Sequence, residues 1–345
     1  MSISADILSY NAEELTSMMV GLREPAYKSK QLFTWLHKRR VVDFGEMTNL
    51  SMELRQRLSD CFAIKRAVPI SIQTSADKTK KFLYALDDGN CVETVAMTYN
   101  HGISVCVSSQ VGCRMGCAFC ASTQNGIVRN LTPSEILTQV YETERQIGQR
   151  IDSVVLMGIG EPLDNFENVM RFCELITDSD GYDMSNRSIS LSTCGIVPMI
   201  DELAKRRLQL TLSVSLHAAT DEKRSQIMPV NKVYPLPQLM AACRRYTQAT
   251  KRRISFEYAV IHGTNDNDVD ARDIAKLVSG MISHINLIPV NPAVRGDFCA
   301  TRENAQKFCE KLTKLGLNAT VRRTLGADIS AACGQLRRDT IEKNS

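Results

Sequence analysis

The chain of 345 residues is 43% hydrophobic and 23% charged, an ordinary globular composition, long enough for one large domain and a smaller one, which excludes wholesale disorder and collagen-like repetition. Lys and Arg outnumber Asp and Glu by 42 to 38, a net charge of +4, so contact with nucleic acid has to come from local basic patches and not from a polycationic body. No apolar run approaches the ~18 residues of a membrane span, and the start MSISADILSYNAEEL carries acids with no basic stretch ahead of an apolar one, which points to a cytoplasmic protein with no membrane partner.

Residues 1–75 read as a small helical domain, because apolar residues recur at helical spacing over 5–19, 29–38 and 52–62. Within it, Lys28, Lys30, Lys38, Arg39 and Arg40 surround Phe33 and Trp35. Such a mixture suits nucleic-acid backbone phosphates with stacked bases; a solvated helix face over a Phe and Trp core fits it equally. The period then shortens to KFLYAL and CVETVAM about the turn Asp87-Asp88-Gly89-Asn90, a β-hairpin connector over 76–100. From 101 to 345 strands alternate with helices: ISVCVS, DSVVLMG, SISLST, LTLSVSL, ISFEYAVI and INLIPV are each followed by a helical stretch. Thr132-Pro133-Ser134-Glu135 is a helix start with a capping box and Pro at the first helical position. The expectation is an α/β fold, a partial (β/α)6 barrel of parallel strands with right-handed crossovers and its site at the strands' C-terminal ends.

Twelve cysteines in a chain this long without a secretion signal read as reduced thiols, a few with a metal or redox role. Cys113, Cys117 and Cys120 fall within eight residues just after the first barrel strand. Three thiolates can hold three irons of a [4Fe–4S] cluster and leave the fourth iron open to an exogenous ligand. Structural zinc is the alternative, but it wants a fourth ligand and a second knuckle, and no second knuckle occurs. A CX3CX2C motif opening a βα barrel resembles the radical S-adenosylmethionine (SAM) superfamily, which implies SAM chelated at the open iron.

Strand ends agree with such a pocket. Met157-Gly158-Ile159-Gly160-Glu161-Pro162 follows the second strand, so glycine admits close backbone approach while Glu161 can accept from an ammonium; a simple tight turn reads the same way. Ser192-Thr193 and Ser215-Leu216-His217 end the third and fourth strands and Asn291 the sixth, polar groups suited to a ribose or a carboxylate. Cys106 lies on the strand before the cluster motif, and Cys333 sits in a non-periodic stretch, GADISAACGQL. A lone cysteine is more often a buried inert thiol, yet Gly and Asp around Cys333 set it apart.

In VETV, CVSSQVGCRMGCAFCAST, RNLTPSEI, MGIGEP, VSLHA, NLIPVNP and DISAACGQL, and in KSKQLFTWLHKR and MTNLS of the N-terminal part, the chain closely resembles the RlmN/Cfr family of radical SAM RNA methyltransferases, nearly end to end. That resemblance implies that Cys113, Cys117 and Cys120 hold the cluster and that Gly160, Glu161, Ser192, Ser215, Leu216, His217 and Asn291 contact SAM. It makes Cys333 the methyl-carrying cysteine, Cys106 the resolving one and Glu93 the proton acceptor. Two SAM per turnover follow: one methylates Cys333, and reductive cleavage of the second gives a radical that takes hydrogen from the S-methyl group. The carbon radical adds to an adenine ring and ties RNA to Cys333; attack by Cys106 releases product and leaves a disulfide between the two.

The spellings MGIGEP and NLIPVNP associate with the branch that methylates adenine C2, with C8 methylation as the alternative. Implied partners are ribosomal RNA, tRNA and a flavodoxin-type electron donor, and nothing demands more than a monomer. Two other readings stay open: a radical SAM enzyme acting on a protein or small molecule, and an RNA-binding protein stiffened by a cluster, which would have no use for the polar strand ends.

Overall fold

The computed structural model describes residues 5–289, 300–323 and 325–329. A short strand β1 (Ala5–Asp6) leads into α1 (Ala12–Gly21), α2 (Tyr27–Phe33) continued by a wider helical turn over Thr34–Arg39, and α3 (Met52–Cys61). β2 (Phe62–Ala63) pairs parallel with β1 and closes this unit. The helical reading fails beyond it. β3 (Val68–Thr74) is extended, because Val68, Ile70, Ile72 and Thr74 recur at a period of two and Pro69 cannot sit inside a helix.

β3 pairs antiparallel with β4 (Lys80–Ala85), β4 with β5 (Cys91–Tyr99), and β5 with β6 (Gly102–Cys106). The expected hairpin is thus present but continues the main sheet instead of linking two bodies. A separate ribbon, β7 (Gln110–Gly112) against β8 (Ile127–Asn130), brackets the cysteine loop. Then come α4 (Pro133–Ile147), β9 (Ser153–Leu156), α5 (Phe166–Thr177), β10 (Ile189–Thr193), α6 (Val197–Arg206), β11 (Thr211–Ser215), α7 (Asp221–Ile227) and α8 (Leu236–Thr250). β12 (Ile254–Val260), α9 (Asp268–Val278), β13 (Ser283–Pro289), α10 (Arg302–Lys314) and β14 (Ala319–Val321) complete the order.

The ten-stranded sheet runs β14-β13-β12-β11-β10-β9-β6-β5-β4-β3, and every pair from β6 to β14 is parallel. All six expected strand–helix units are there, and β14 adds a seventh parallel strand. One sheet face is apolar: Val105, Val154, Leu191, Leu212, Val214, Phe256, Ile285 and Leu287 are buried under the helices. A parallel sheet covered on both faces would be apolar throughout. Here the alternate positions are polar instead, with Ser192, Ser213, Ser255 and His284 in one register row and Ser215, Glu257, Asn286 and Thr320 in the next. The inner face of the partial barrel therefore lines a cavity. Among the described residues no helix is long and apolar enough to cross a membrane.

Candidate active site

β7 ends at Gly112, whose φ of +77° and close approach to the Gly126 carbonyl exclude any side chain; an added Cβ would lie 2.1 Å from that oxygen. The chain then turns into the cysteine loop. The Cys113 amide donates to Gly126 O at 3.0 Å, that of Ala118 to Ile227 O at 2.9 Å, and that of Cys120 to Cys117 O at 3.1 Å. Three backbone bonds thus pin the loop at its start, middle and end. Burial, reinforced by neighbouring thiolates and Glu161, pushes the Cys113 and Cys117 thiols up to about 12. Thiols so placed stay protonated near neutrality, and a cationic centre is what would make three thiolates stable there. The donor set therefore fits a thiolate-bound cluster. Among the described residues no three His, Cys, Asp or Glu side chains converge closely enough to hold a single metal ion, and no disulfide forms.

Gly160 sits beside this loop at φ +109°, where an added Cβ would lie 2.8 Å from the Gln110 amide. Its small size serves backbone packing against the segment that feeds the cysteines. Glu161 is buried, and burial raises its pKa against the pull of amide donors. Leu163 N donates to Oε1 at 3.0 Å and Cys194 N to Oε2 at 2.7 Å. The Thr193 and Cys194 side chains also hydrogen-bond this carboxylate, so an incoming ammonium would share its oxygens with these donors. Ser192 and Ser215 face the inner cavity, half-buried. Leu216 is buried, with its amide on Glu257 O at 2.9 Å.

His217 takes φ +56° at the end of β11. Ala259 N donates to its Nδ1 at 2.9 Å, and the Phe119 ring from the cysteine loop stands edge-on at 4.8 Å. Burial, with Arg224 nearby, lowers its pKa to about 3. The imidazole is therefore neutral, and with Nδ1 accepting, its proton sits on Nε2 as a donor.

Comparison with known proteins accounts for both parts of the chain. Residues 5–64 match the ribosomal RNA large subunit methyltransferase N-terminal domain and residues 107–274 the radical SAM superfamily. The probable dual-specificity RNA methyltransferase RlmN of Lachnospira eligens is 49% identical over 339 residues, 98% of this chain and 97% of that one. Its counterpart in Clostridium perfringens strain 13 is 47% identical over 98% of each. The chain belongs to the RlmN family. A radical SAM methyltransferase of solved structure from Sphaerobacter thermophilus superposes with a TM-score of 0.91 at 39% identity, covering 96% of this chain and 98% of that one. As an RlmN-family member the protein is a radical SAM RNA methyltransferase, and its cofactors are a [4Fe–4S] cluster and SAM.

The inner face of this RlmN-type barrel also gathers residues that sequence reading passed over. Cys106 pairs in register with Val95, and Val95 with Lys81, so all three point inward; Glu93, two residues before Val95, shares that face. Lys81 Nζ lies 3.6 Å from Glu93 Oε1, both buried. Nothing in KKFLYA marks Lys81 as special. Arg224 hides among the charges of DEKRSQI, yet it is wholly buried and ties strand ends together. Its guanidinium donates to Leu216 O (3.1 Å), Ser215 O (3.0 Å), Cys194 O (2.7 Å) and Asn231 Oδ1 (2.9 Å). The alternating serines were the legible signal for an inner cavity.

The N-terminal basic stretch is rearranged relative to expectation. Phe33 and Trp35 are buried core, which removes them as stacking platforms. Lys28 pairs with Glu24 at 2.6 Å, Lys30 with Asp180 at 2.9 Å and Arg40 with Glu144 at 2.7 Å. Lys38 and Arg39 are exposed, the latter over the Trp35 ring. Asn291 and Cys333 lie outside the described residues.

Proposed function

We propose that this enzyme methylates C2 of an adenine in large-subunit ribosomal RNA, and in tRNA, through an S-methyl group on Cys333. The observation that carries this reading is the shared inner face of Cys106 and Glu93, on a barrel whose first loop carries Cys113, Cys117 and Cys120. Cluster and SAM together supply the methyl group and the radical chemistry that no side chain can. The remaining work falls to this chain. Cys333 takes the methyl group from the SAM sulfonium as a thioether; Glu93, with the Lys81 ammonium beside it, receives the proton lost from C2. Once the unpaired electron of the adduct has passed back to the cluster, the Cys106 thiolate would attack the Cys333 sulfur: the S–S bond forms, the S–CH2 bond breaks, and its electron pair passes to the product, whose methylene takes up a proton to become the methyl group.

Gly160, Glu161, Ser192, Ser215, Leu216, His217 and Asn291 are proposed to hold SAM, with neutral His217 donating from Nε2. C2 over C8 is favoured by the RlmN relatives and by the spellings MGIGEP and NLIPVNP. The dual specificity in the relatives' names supports a second RNA class. We assign RNA docking to the helical unit through exposed Lys38 and Arg39. A flavodoxin-type donor, a monomeric state and a cytoplasmic location complete the proposal.

The test is RNA from a deletion strain carrying this gene, digested to nucleosides and chromatographed against both methyladenosine standards. 2-Methyladenosine is expected; a dominant 8-methyl peak moves the enzyme to the other branch. Cys106→Ala should accumulate protein covalently linked to RNA, visible as a shifted band after nuclease trimming, while Cys333→Ala should not. An unshifted band with undiminished turnover refutes the resolving role.

A further inference from the structure

β14 and β3 are opposite edges of the sheet, nine strand positions apart. Yet the chain leaving β14 is bonded within a few residues to the turn between β3 and β4. Gly326 N donates to Asp77 Oδ2 at 2.8 Å, Ser75 Oγ to Asp328 Oδ1 at 2.5 Å and Ala76 N to Asp328 Oδ2 at 3.0 Å. On the way, the Arg322 guanidinium comes within 3.9 Å of Met157 Sδ, just beyond β9. The chain thus reaches from one edge of the sheet to the other within a few residues. Two carboxylates meet at the far edge, where the Asp77 charge works against ionisation of Asp328. The donors outweigh that repulsion and keep both carboxyls below the usual range, so both accept at neutral pH.

We propose that Asp77 and Asp328 are positioning residues that fasten the chain leaving β14 to the turn between β3 and β4 and so shorten the tether on which Cys333 reaches Cys106; the inference rests on the roles of Cys106 and Cys333 proposed above. The hairpin is staggered along the sheet, so that Lys81 pairs with Val95 and Val95 with Cys106. The turn at 75–78 therefore lies level with the body of β6, and Lys81 is two strand spacings, about 10 Å, from Cys106. Cys333 follows Asp328 by five residues, which span at most about 17 Å. Tethered there, Cys333 stays within reach of the Cys106 row.

With the bonds of both Asp77 and Asp328 lost, the nearest anchor among the described residues is Arg322, whose amide donates to Leu287 O at 2.8 Å, eleven residues from Cys333. The effective concentration at a flexible tether's end falls as roughly the −3/2 power of its length, so the longer tether lowers it about threefold.

The experiment measures the disulfide between Cys106 and Cys333 in the cluster-loaded enzyme, held anaerobically in glutathione redox buffers. Oxidised glutathione accepts the two electrons and leaves as two thiols, and acid quench, alkylation and peptide mass spectrometry give the equilibrium ratio. Asp328→Ala is the cleaner variant, since Asp77 also braces its own turn by accepting from Thr79 N at 2.9 Å. Because Gly326 N stays on Asp77, seven residues from Cys333, it should lower the effective concentration by about 1.7-fold, with iron content and thermal midpoint unchanged. Ser75→Ala should act in the same direction and add little to Asp328→Ala, and Asp328→Asn, which keeps one acceptor, should restore part of the loss. An equal ratio in wild type and Asp328→Ala overturns the latch and leaves the cysteine roles standing. Absence of the disulfide from wild type overturns both.

Discussion

Arg224 shows how one residue sets the shape of a strand-end site. A buried guanidinium directed at three main-chain carbonyls fixes the ends of β10 and β11 relative to each other. Removing it leaves those oxygens and the Asn231 amide without their donor in a dry interior. Arg224→Met should therefore lose about 3 kcal/mol or more, read as a lower urea midpoint, and should weaken SAM binding; it also removes a positive charge that acts on the Cys117 thiol. Arg224→Lys should recover little, because a single ammonium cannot reproduce the planar fork. A wild-type midpoint in Arg224→Met would show that β10 and β11 hold their ends without it.

At the scale of elements, α4 and the turn after β9 contrast two kinds of local specification. The α4 capping box forms as its sequence requires: Glu135 N donates to Thr132 Oγ1 at 3.3 Å and Thr132 N to Glu135 Oε2 at 2.9 Å. Arg129 adds a two-pronged ion pair to Glu135 at 2.7 and 2.8 Å. Thr132→Ala should cost about 1 kcal/mol and leave turnover unchanged. Gly160→Ala should do far more harm, because the new Cβ meets the Gln110 backbone at a φ that L residues rarely adopt. We expect about 2–5 kcal/mol of lost stability and loss of SAM binding, checked by denaturation and by equilibrium dialysis with labelled SAM. A fully active Gly160→Ala would mean that the turn relaxes away from Gln110.

Across the whole molecule, the helical unit and the barrel share one core, and α4 is the hinge of their contact. Arg66 forms a two-pronged pair with Glu142 at 2.8 and 2.7 Å, Arg40 pairs with Glu144, and Arg145 donates to Arg40 O at 2.8 Å. At the centre of the contact His37 is fully buried, its Nδ1 3.1 Å from the Tyr141 hydroxyl and its Nε2 without a partner. Burial lowers its pKa from 6.5 to about 3. The unfolded chain therefore binds a proton at His37 that the folded chain refuses, so its contribution is complete above pH 6.5 and is lost as pH falls toward 3. His217 behaves in the same way. Unfolding free energy measured between about pH 7 and 5 should fall with acid, by up to about 1.4 kcal/mol per pH unit for each histidine. His37→Phe should reduce that slope by about one proton; an unchanged slope would show that His37 is protonated in the fold.

The sequence by itself determined the local and periodic features. The CX3CX2C spacing, the glycine turn after the second strand, the capping box of α4 and six alternations of strand and helix depend on residues close together in the chain, and periodicity and turn chemistry report such neighbours directly. What lay beyond it was decided by register and curvature. The edge strand β3 went unread because its alternation is short and follows a helix without a clear stop. Lys81, Glu93 and Cys106 become neighbours only once three antiparallel strands align, and Arg224 matters only because α7 packs across two strand ends. Phe33 and Trp35 left the candidate RNA surface because they pack into the core, Trp35 Nε1 donating to Asn49 Oδ1 and the Phe33 ring lying against Gly181, which no pattern within residues 28–40 could announce. The tie between Asp328 and Ser75 joins residues 253 positions apart; a contact at that separation exists only because the sheet curls far enough for its two edges to meet.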